Sequence, residues 1–262
     1  METKPLGVQM VGVSVMKRWL AFGDTHGDMV DEAALGSLIK FKKHFKPHLT
    51  IHLGDLFDYR ALRKGISQTE SDAYDGLRAD TLKGYECLEK TRPDILLLGN
   101  HDHRIYRVAA EHPNGIVREA AEQGIKGIEK AAKRVKCRVI PYHYQQGIYT
   151  VGTLNFLHGY TANLRAVAEH ANHYGNGPDS SVVIGHLHRV EQSTGKRHGR
   201  AHGYSAGCLC KFEDMSYASH RLATSMWQLG WAFGVYDDNN HQVWLATQMG
   251  DKWVLPTGVE TL

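Results

Sequence analysis

Much that would place this sequence quickly is missing from it. It has no Pro/Ser-rich run, no block of like charge and no internal period, which argues against disordered tails, solenoids and coiled coils. Long apolar runs are absent too. The opening METKPLGVQMVGVSVMKRWL mixes apolar residues with Lys17 and Arg18 and offers no small-residue cleavage site, so no signal peptide, no membrane span and a cytoplasmic location are expected. Cysteine is sparse: Cys87, Cys137, Cys208 and Cys210 are scattered apart from one C-x-C pair. That spacing is neither a disulfide framework nor a zinc knuckle, and small buried thiols in a reducing compartment are the expectation. A formal net charge of +3 does not by itself imply nucleic acid. At 262 residues the chain can bury a sizeable core, and a single domain over 1–262 is expected.

Histidine is the exception, with 17 residues of the commonest metal ligand and acid/base group. Short apolar runs end at polar clusters in a strand-then-helix rhythm: RWLAFGD (18–24), LTIHLGD (49–55), DILLLGN (94–100), TLNFLHG (153–159) and SVVIGH (181–186). Helix-forming segments lie at about 28–44, 73–91, 116–134 and 162–174, and the alternation indicates an α/β fold. From Trp227 to Gln248, LGWAFGVY, the turn DDNN and QVWLATQ read as an antiparallel hairpin, so a mixed sheet or two stacked sheets follow. Trp227, Trp231, Trp244 and Trp253 crowd this region and are expected to pack against a second sheet, with a homodimer contact as the minor alternative.

Each of the five strands ends in Asp, Asn or His, and open α/β sheets gather functional groups at the carboxyl ends of their strands. The strand ends supply Asp24-Thr25-His26, Gly54-Asp55-Leu56-Phe57-Asp58, Gly99-Asn100-His101-Asp102, His158-Gly159 and Gly185-His186-Leu187-His188. If these segments are extended, Asp24 with His26, and His186 with His188, project to one side in pairs. Carboxylate, imidazole and amide oxygen without thiolate suit Mn²⁺, Fe, Zn²⁺ or Ni²⁺ rather than a structural zinc. So many candidate ligands exceed one ion and fit two ions sharing a carboxylate.

The ordered set D-x-H, G-D-x-x-D, G-N-H-D, H and G-H-x-H, from Asp24 to His188, resembles the calcineurin-like metallophosphoesterases. The resemblance implies a four-layer α/β/β/α sandwich with two mixed sheets. It also implies two divalent metal ions, Mn²⁺ foremost: Asp24, His26, Asp55 and His188 on one, Asp55, Asn100, His158 and His186 on the other. His101 then acts as general acid or phosphate-stabilising group, oriented by Asp58, while Asp102 stands behind the ligands. Such a site attracts anions and acidifies water from a pKa of 15.7 toward ~7, which suits in-line attack on a phosphate ester. Phosphodiesters, nucleic acid included, are the expected substrates, with phosphomonoesters and a non-catalytic metal-binding scaffold as alternatives. The layout and the SAGCLC stretch are also similar to phage or prophage members.

Among basic residues, Arg60, Arg63, Arg104, Arg107, Lys196, Arg197 and Arg200 follow the blocks, and Arg104 with His103 is the expected substrate contact. Tyr59 stands where protein phosphatases of this superfamily carry Arg after the second Asp of G-D-x-V-D-R-G, which speaks against a phosphoprotein substrate. GYSAG (203–207) matches the nucleophile elbow of serine hydrolases, but its flanks favour a short strand over the strand-turn-helix that an elbow needs. His52 is expected to be a satisfied core residue, and His44, His48, His112, His143, His170, His173, His220 and His241 to lie at surfaces or helix ends.

Overall fold

The computed structural model describes residues 15–63, 76–177, 179–196, 201–212, 222–256 and 258–260. The predicted apolar runs form β1 (Lys17–Phe22), β2 (Leu49–His52), β3 (Ile95–Leu97), β6 (Leu154–Leu157) and β7 (Ser181–Ile184). The hairpin is β10 (Gly230–Tyr236) and β11 (His241–Met249), joined by a turn in which Asp237 Oδ1 accepts from the backbone N–H groups of Asn239 and Asn240. Short strands β4 (Arg138–Ile140), β5 (Tyr149–Val151), β8 (Val190–Thr194), β9 (His202–Ala206), β12 (Lys252–Leu255) and β13 (Gly258–Glu260) complete the sheets.

Among the described residues one sheet runs β13-β12-β11-β10-β1-β2-β3-β4 and the other β5-β6-β7-β9-β8. In the first, β1 to β4 are parallel and β10 to β13 antiparallel. Helices α1 (Glu32–Phe45), α2 (Leu77–Thr91), α3 (His103–Glu111) and α4 (Gly115–Arg134) cover its outer face, and α5 (Ala166–Tyr174) covers the second sheet. Between the sheets lies a dry core that includes Trp19, Ile51, Leu97, Phe156 and Val183. The architecture is the expected α/β/β/α sandwich with two mixed sheets.

Local sequence accounts for these elements. Asp31 caps α1 by accepting from Ala33 and Ala34 N–H, and Ala34, Leu35, Leu38 and Phe41 form the buried stripe at helical spacing. Asn114 does the same for α4 through Ile116 N–H. Leu20 and Phe22 point to the helices while Trp19 and Ala21 point between the sheets, the period of two that a doubly covered strand needs. Each such large apolar side chain contributes roughly 1.5–3 kcal/mol.

The tryptophans depart from expectation. Trp231 and Trp253 pack face to tilted face at 4.0 Å on the helix side with Phe41, and Trp244 meets Phe233 there. Strand alternation decides this: odd-numbered Trp231 and Phe233 face the helices, leaving Ala232 for the inter-sheet side. No helix among the described residues is long and apolar enough to cross a membrane.

Candidate metal centre

Strands β1, β2, β3, β6 and β7 bring their carboxyl ends to one edge of the sandwich, and all seven candidate ligands lie on the loops just beyond. Those loops are not extended. Asp24, His26, Asp55, His186 and His188 have φ of 53°, 49°, 51°, 69° and 56°. Left-handed backbone is uncommon for residues with a Cβ and persists where the surroundings over-determine it. The D-x-H and H-x-H pairs therefore converge through left-handed turns rather than by strand alternation. Glycine makes room for the convergence: at Gly54 (φ 109°) a Cβ would lie 2.6 Å from His158 Nδ1, and at Gly99 one would overlap the Asp55 carboxylate.

Two groups form around Asp55. On one side His188 Nε2 lies 3.2 Å from Asp24 Oδ1 and 3.0 Å from His26 Nε2, and His26 Nε2 is 3.8 Å from Asp55 Oδ2. On the other, His158 Nε2 is 3.3 Å from Asp55 Oδ2 and 3.0 Å from Asn100 Oδ1, with the His186 ring 5.0 Å from that of His158. His186 N–H donates to both Asp24 oxygens at 3.0 Å, and His101 N–H to Asp55 Oδ1 at 2.8 Å.

The outward ring nitrogens fix what these groups can hold. His26 Nδ1–H donates to Asp58 Oδ1 at 2.8 Å and His158 Nδ1–H to the Leu53 carbonyl at 3.0 Å, so each ring turns its Nε2 inward. His188 Nδ1 faces Cys210 Sγ at 3.9 Å, which leaves its Nε2 inward as well. Ligand-type nitrogens and oxygens thus crowd together at His26–His188 and at His158–Asn100–Asp55, spaces that a ring proton or a cation can bridge. Asp24 and Asp55 are buried at 0% and 1% exposure with carboxylate oxygens in the same spaces. The donor set fits two cations, one on each side of Asp55.

The acid/base properties agree. Burial opposes ionisation of Asp55, but His158 and His101 outweigh it and hold the carboxyl well below its ordinary range; His188 does the same for Asp24. Burial would lower His158, yet Asp55 and Asp24 raise it to about 9, a proton taking the place of missing positive charge. His186 is pushed down to about 3 by burial and by His158.

His101 and Asp58 meet as expected, Nδ1 to Oδ1 at 2.7 Å. The same oxygen also holds His26, a double role the sequence did not disclose. Burial lowers the pKa of His101 despite Asp55 and Asp58, and its Nε2 accepts from Arg104 Nη2 at 3.1 Å. Arg104 is anchored through Nη1 to the Asp58 carbonyl at 2.8 Å. His103 is exposed at the start of α3 and stacks over Tyr106. Asp102 stands behind the ligands, accepting from Phe57 and Gly99 N–H at 2.8 Å and from Leu56 N–H at 3.3 Å.

Arg60 forks onto Asp28 with two 2.8 Å bonds while its Nη1 stays 4.0 Å from Asp58 Oδ2, and Arg107 donates to the Leu62 carbonyl. Arg197, Arg200 and His220 lie outside the described residues. Two contributors escaped sequence reasoning. Cys210 backs His188, and Trp227 covers the His188 ring at 4.2 Å instead of joining the hairpin core. All four cysteines are buried free thiols, as expected.

His52 is a satisfied core residue, bonded to Thr25 Oγ1 and Gly54 N–H. His170 and His241 are not surface residues: the first is buried between the Ala166 carbonyl and Tyr160 N–H, the second bridges Thr153 and Ser181 hydroxyls. Ser205 sits inside β9 with an Oγ that has no hydrogen-bond partner, and residues 207–212 directly after the strand are not helical, so GYSAG is no nucleophile elbow.

The fold is similar to a Vps29 complexed with Zn²⁺ from Entamoeba histolytica (12% identity, 94% of this chain and 98% of that one, TM-score 0.45). It is also similar to a metallophosphoesterase from Sphaerobacter thermophilus (14%, 87% and 87%, 0.44) and to Vps29 of Chaetomium thermophilum (13%, 94% and 95%, 0.44). Scores below 0.5 at such identities bear on no activity. A comparison with curated proteins finds no match. The family model described as calcineurin-like phosphoesterase matches residues 17–190, the span that holds every block of the centre, and the chain belongs to that family.

Proposed function

We propose that this chain is a dinuclear metal-dependent phosphodiesterase, with Mn²⁺ as its preferred ion. Asp24, His26, Asp55 and His188 would hold one ion and Asp55, Asn100, His158 and His186 the other. The observation that carries the reading is the convergence of ligand atoms on both sides of Asp55, His26 Nε2 against His188 Nε2 and His158 Nε2 against Asn100 Oδ1, both at 3.0 Å. Divalent ions there supply Lewis acidity, polarising a phosphoryl oxygen and acidifying a water.

The remaining side chains deal with the leaving oxygen. Asp58 fixes His101 with Nδ1–H outward and Nε2 toward the centre, 3.9 Å from Asp55 Oδ2. Arg104 occupies that Nε2 in the free protein. An anionic substrate draws the guanidinium to its own oxygen and supplies the counter-charge with which Nε2 takes up a proton from solvent, and His101 gives that proton to the alkoxide as its P–O bond breaks. A diester is favoured over a monoester because Arg104 is the Arg bonded to His101, whereas Arg60, 4.0 Å from Asp58, is forked onto Asp28. One added cation matches the single negative charge of a diester better than a dianion.

The test is hydrolysis of bis-p-nitrophenyl phosphate against p-nitrophenyl phosphate by protein stripped of metal and reloaded with Mn²⁺. Diester turnover that appears only on reloading supports the proposal; faster monoester turnover, or none with either ester, overturns it.

A further inference from the structure

Aromatic rings stand at both ends of the candidate centre. At the His188 end Trp227 meets the imidazole at a tilt of 58° and 4.2 Å, and Phe212, 36% exposed, meets Trp227 edge-on at 6.1 Å. Tyr142 is 5.9 Å from His158 at the other end, with the exposed His103 ring at 5.8 Å and Tyr160 at 5.1 Å. A cavity of about 290 Å³ opens beside Tyr160. None of these five rings is fully buried.

From this arrangement we infer that the substrate is a single-stranded nucleic acid, a conclusion that rests on the phosphodiesterase reading above. A phosphodiester carries two organic arms, one on each side of phosphorus. Aromatic side chains at both ends of the centre fit arms that both end in flat rings, and every nucleobase offers a π-face to an aromatic side chain. A duplex keeps its bases stacked inside the helix, away from such side chains. A 3′,5′-cyclic nucleotide has one base for the two ends. Along a single strand one base rests on Trp227 and the next on Tyr142, with the scissile phosphate between them at Asp55.

The experiment compares kcat/KM of Mn²⁺-loaded protein on oligothymidylate, the same strand paired with oligoadenylate, a 3′,5′-cyclic nucleotide and methyl p-nitrophenyl phosphate, a diester with one small arm. The single strand is expected to be cleaved at least tenfold faster than the duplex or the cyclic ester. Tyr142→Leu and Trp227→Leu should each lower the ratio of oligothymidylate to methyl p-nitrophenyl phosphate about tenfold, the scale of one lost base stack, and Tyr142→Phe and Trp227→Phe should restore it. Equal turnover of duplex or cyclic ester by the unaltered protein overturns the inference without reference to any variant. So does a ratio that both leucine variants leave unchanged. No turnover of any diester sinks the phosphodiesterase reading itself, whereas turnover of methyl p-nitrophenyl phosphate without preference for the strand sinks only this inference.

Discussion

Replacing Asp58 by asparagine and by alanine separates its charge from its shape. One oxygen, Asp58 Oδ1, accepts from His26 Nδ1 at 2.8 Å and from His101 Nδ1 at 2.7 Å, in a site where all three side chains are buried. An asparagine can present its oxygen to the same two rings. It exchanges two charge-assisted bonds, worth about 1.5–3 kcal/mol each, for neutral ones of about 1 kcal/mol, a combined loss of about 1–4 kcal/mol. Metal content should stay near that of the unaltered protein while bis-p-nitrophenyl phosphate kcat/KM falls about 10- to 100-fold. Alanine leaves two buried N–H donors without an acceptor, at about 1–3 kcal/mol each, so urea unfolding of the metal-free protein should report about 2–6 kcal/mol of lost stability. Its metal affinity should fall a further 10- to 100-fold, because His26 loses the group that aims it. An alanine protein with full metal content and full turnover would refute the reasoning, as would an asparagine protein no better than alanine.

Other expectations follow from the same contacts. Cys210→Ala removes the sulfur behind His188 Nδ1, and metal affinity measured by competition with a chelator should weaken about 10- to 100-fold. Ser205→Ala deletes a buried hydroxyl with no hydrogen-bond partner, so turnover should hold and urea stability should be equal or up to about 1 kcal/mol higher; metal-independent activity lost in this variant would revive the serine-hydrolase motif. In the metal-free protein His158 has its pKa raised from 6.5 to about 9, so its contribution is present in full below pH 6.5 and is lost as pH rises through 9. That shift corresponds to about 3 kcal/mol, seen as falling urea stability from pH 6.5 toward 9.5 and flattened by His158→Gln. A flat profile in the unaltered metal-free protein would contradict the charge balance assigned to Asp55.

Much of the centre was legible because each ligand closes a short apolar run, and a sheet must carry the ends of neighbouring parallel strands to one edge. The reason first assigned to the pairing was wrong, however. Alternation along a strand needs extended backbone, and Asp24, His26, His186 and His188 are all left-handed, a choice imposed by the neighbouring loops that a linear reading does not contain. Cys210 and Trp227 were missed for a related reason. Both follow H-x-H by about a strand pair and reach His188 only because the chain returns through β9 and the 222–229 segment, while their own residue types suggest ordinary core. Helix α3 was also missed, since its first residue, His103, directly follows the G-N-H-D block and reads as part of it. The hairpin was clear from DDNN, but which face of it meets the helices depends on register, and Trp231 fell on the side not expected.

The central claim is that two cations sit on either side of Asp55, and anomalous diffraction from crystals grown with Mn²⁺ addresses it directly. Two peaks should appear, one among Asp24, His26 and His188 and one among Asn100, His158 and His186, with Asp55 reaching both. A single peak, or none at saturating Mn²⁺, would contradict it.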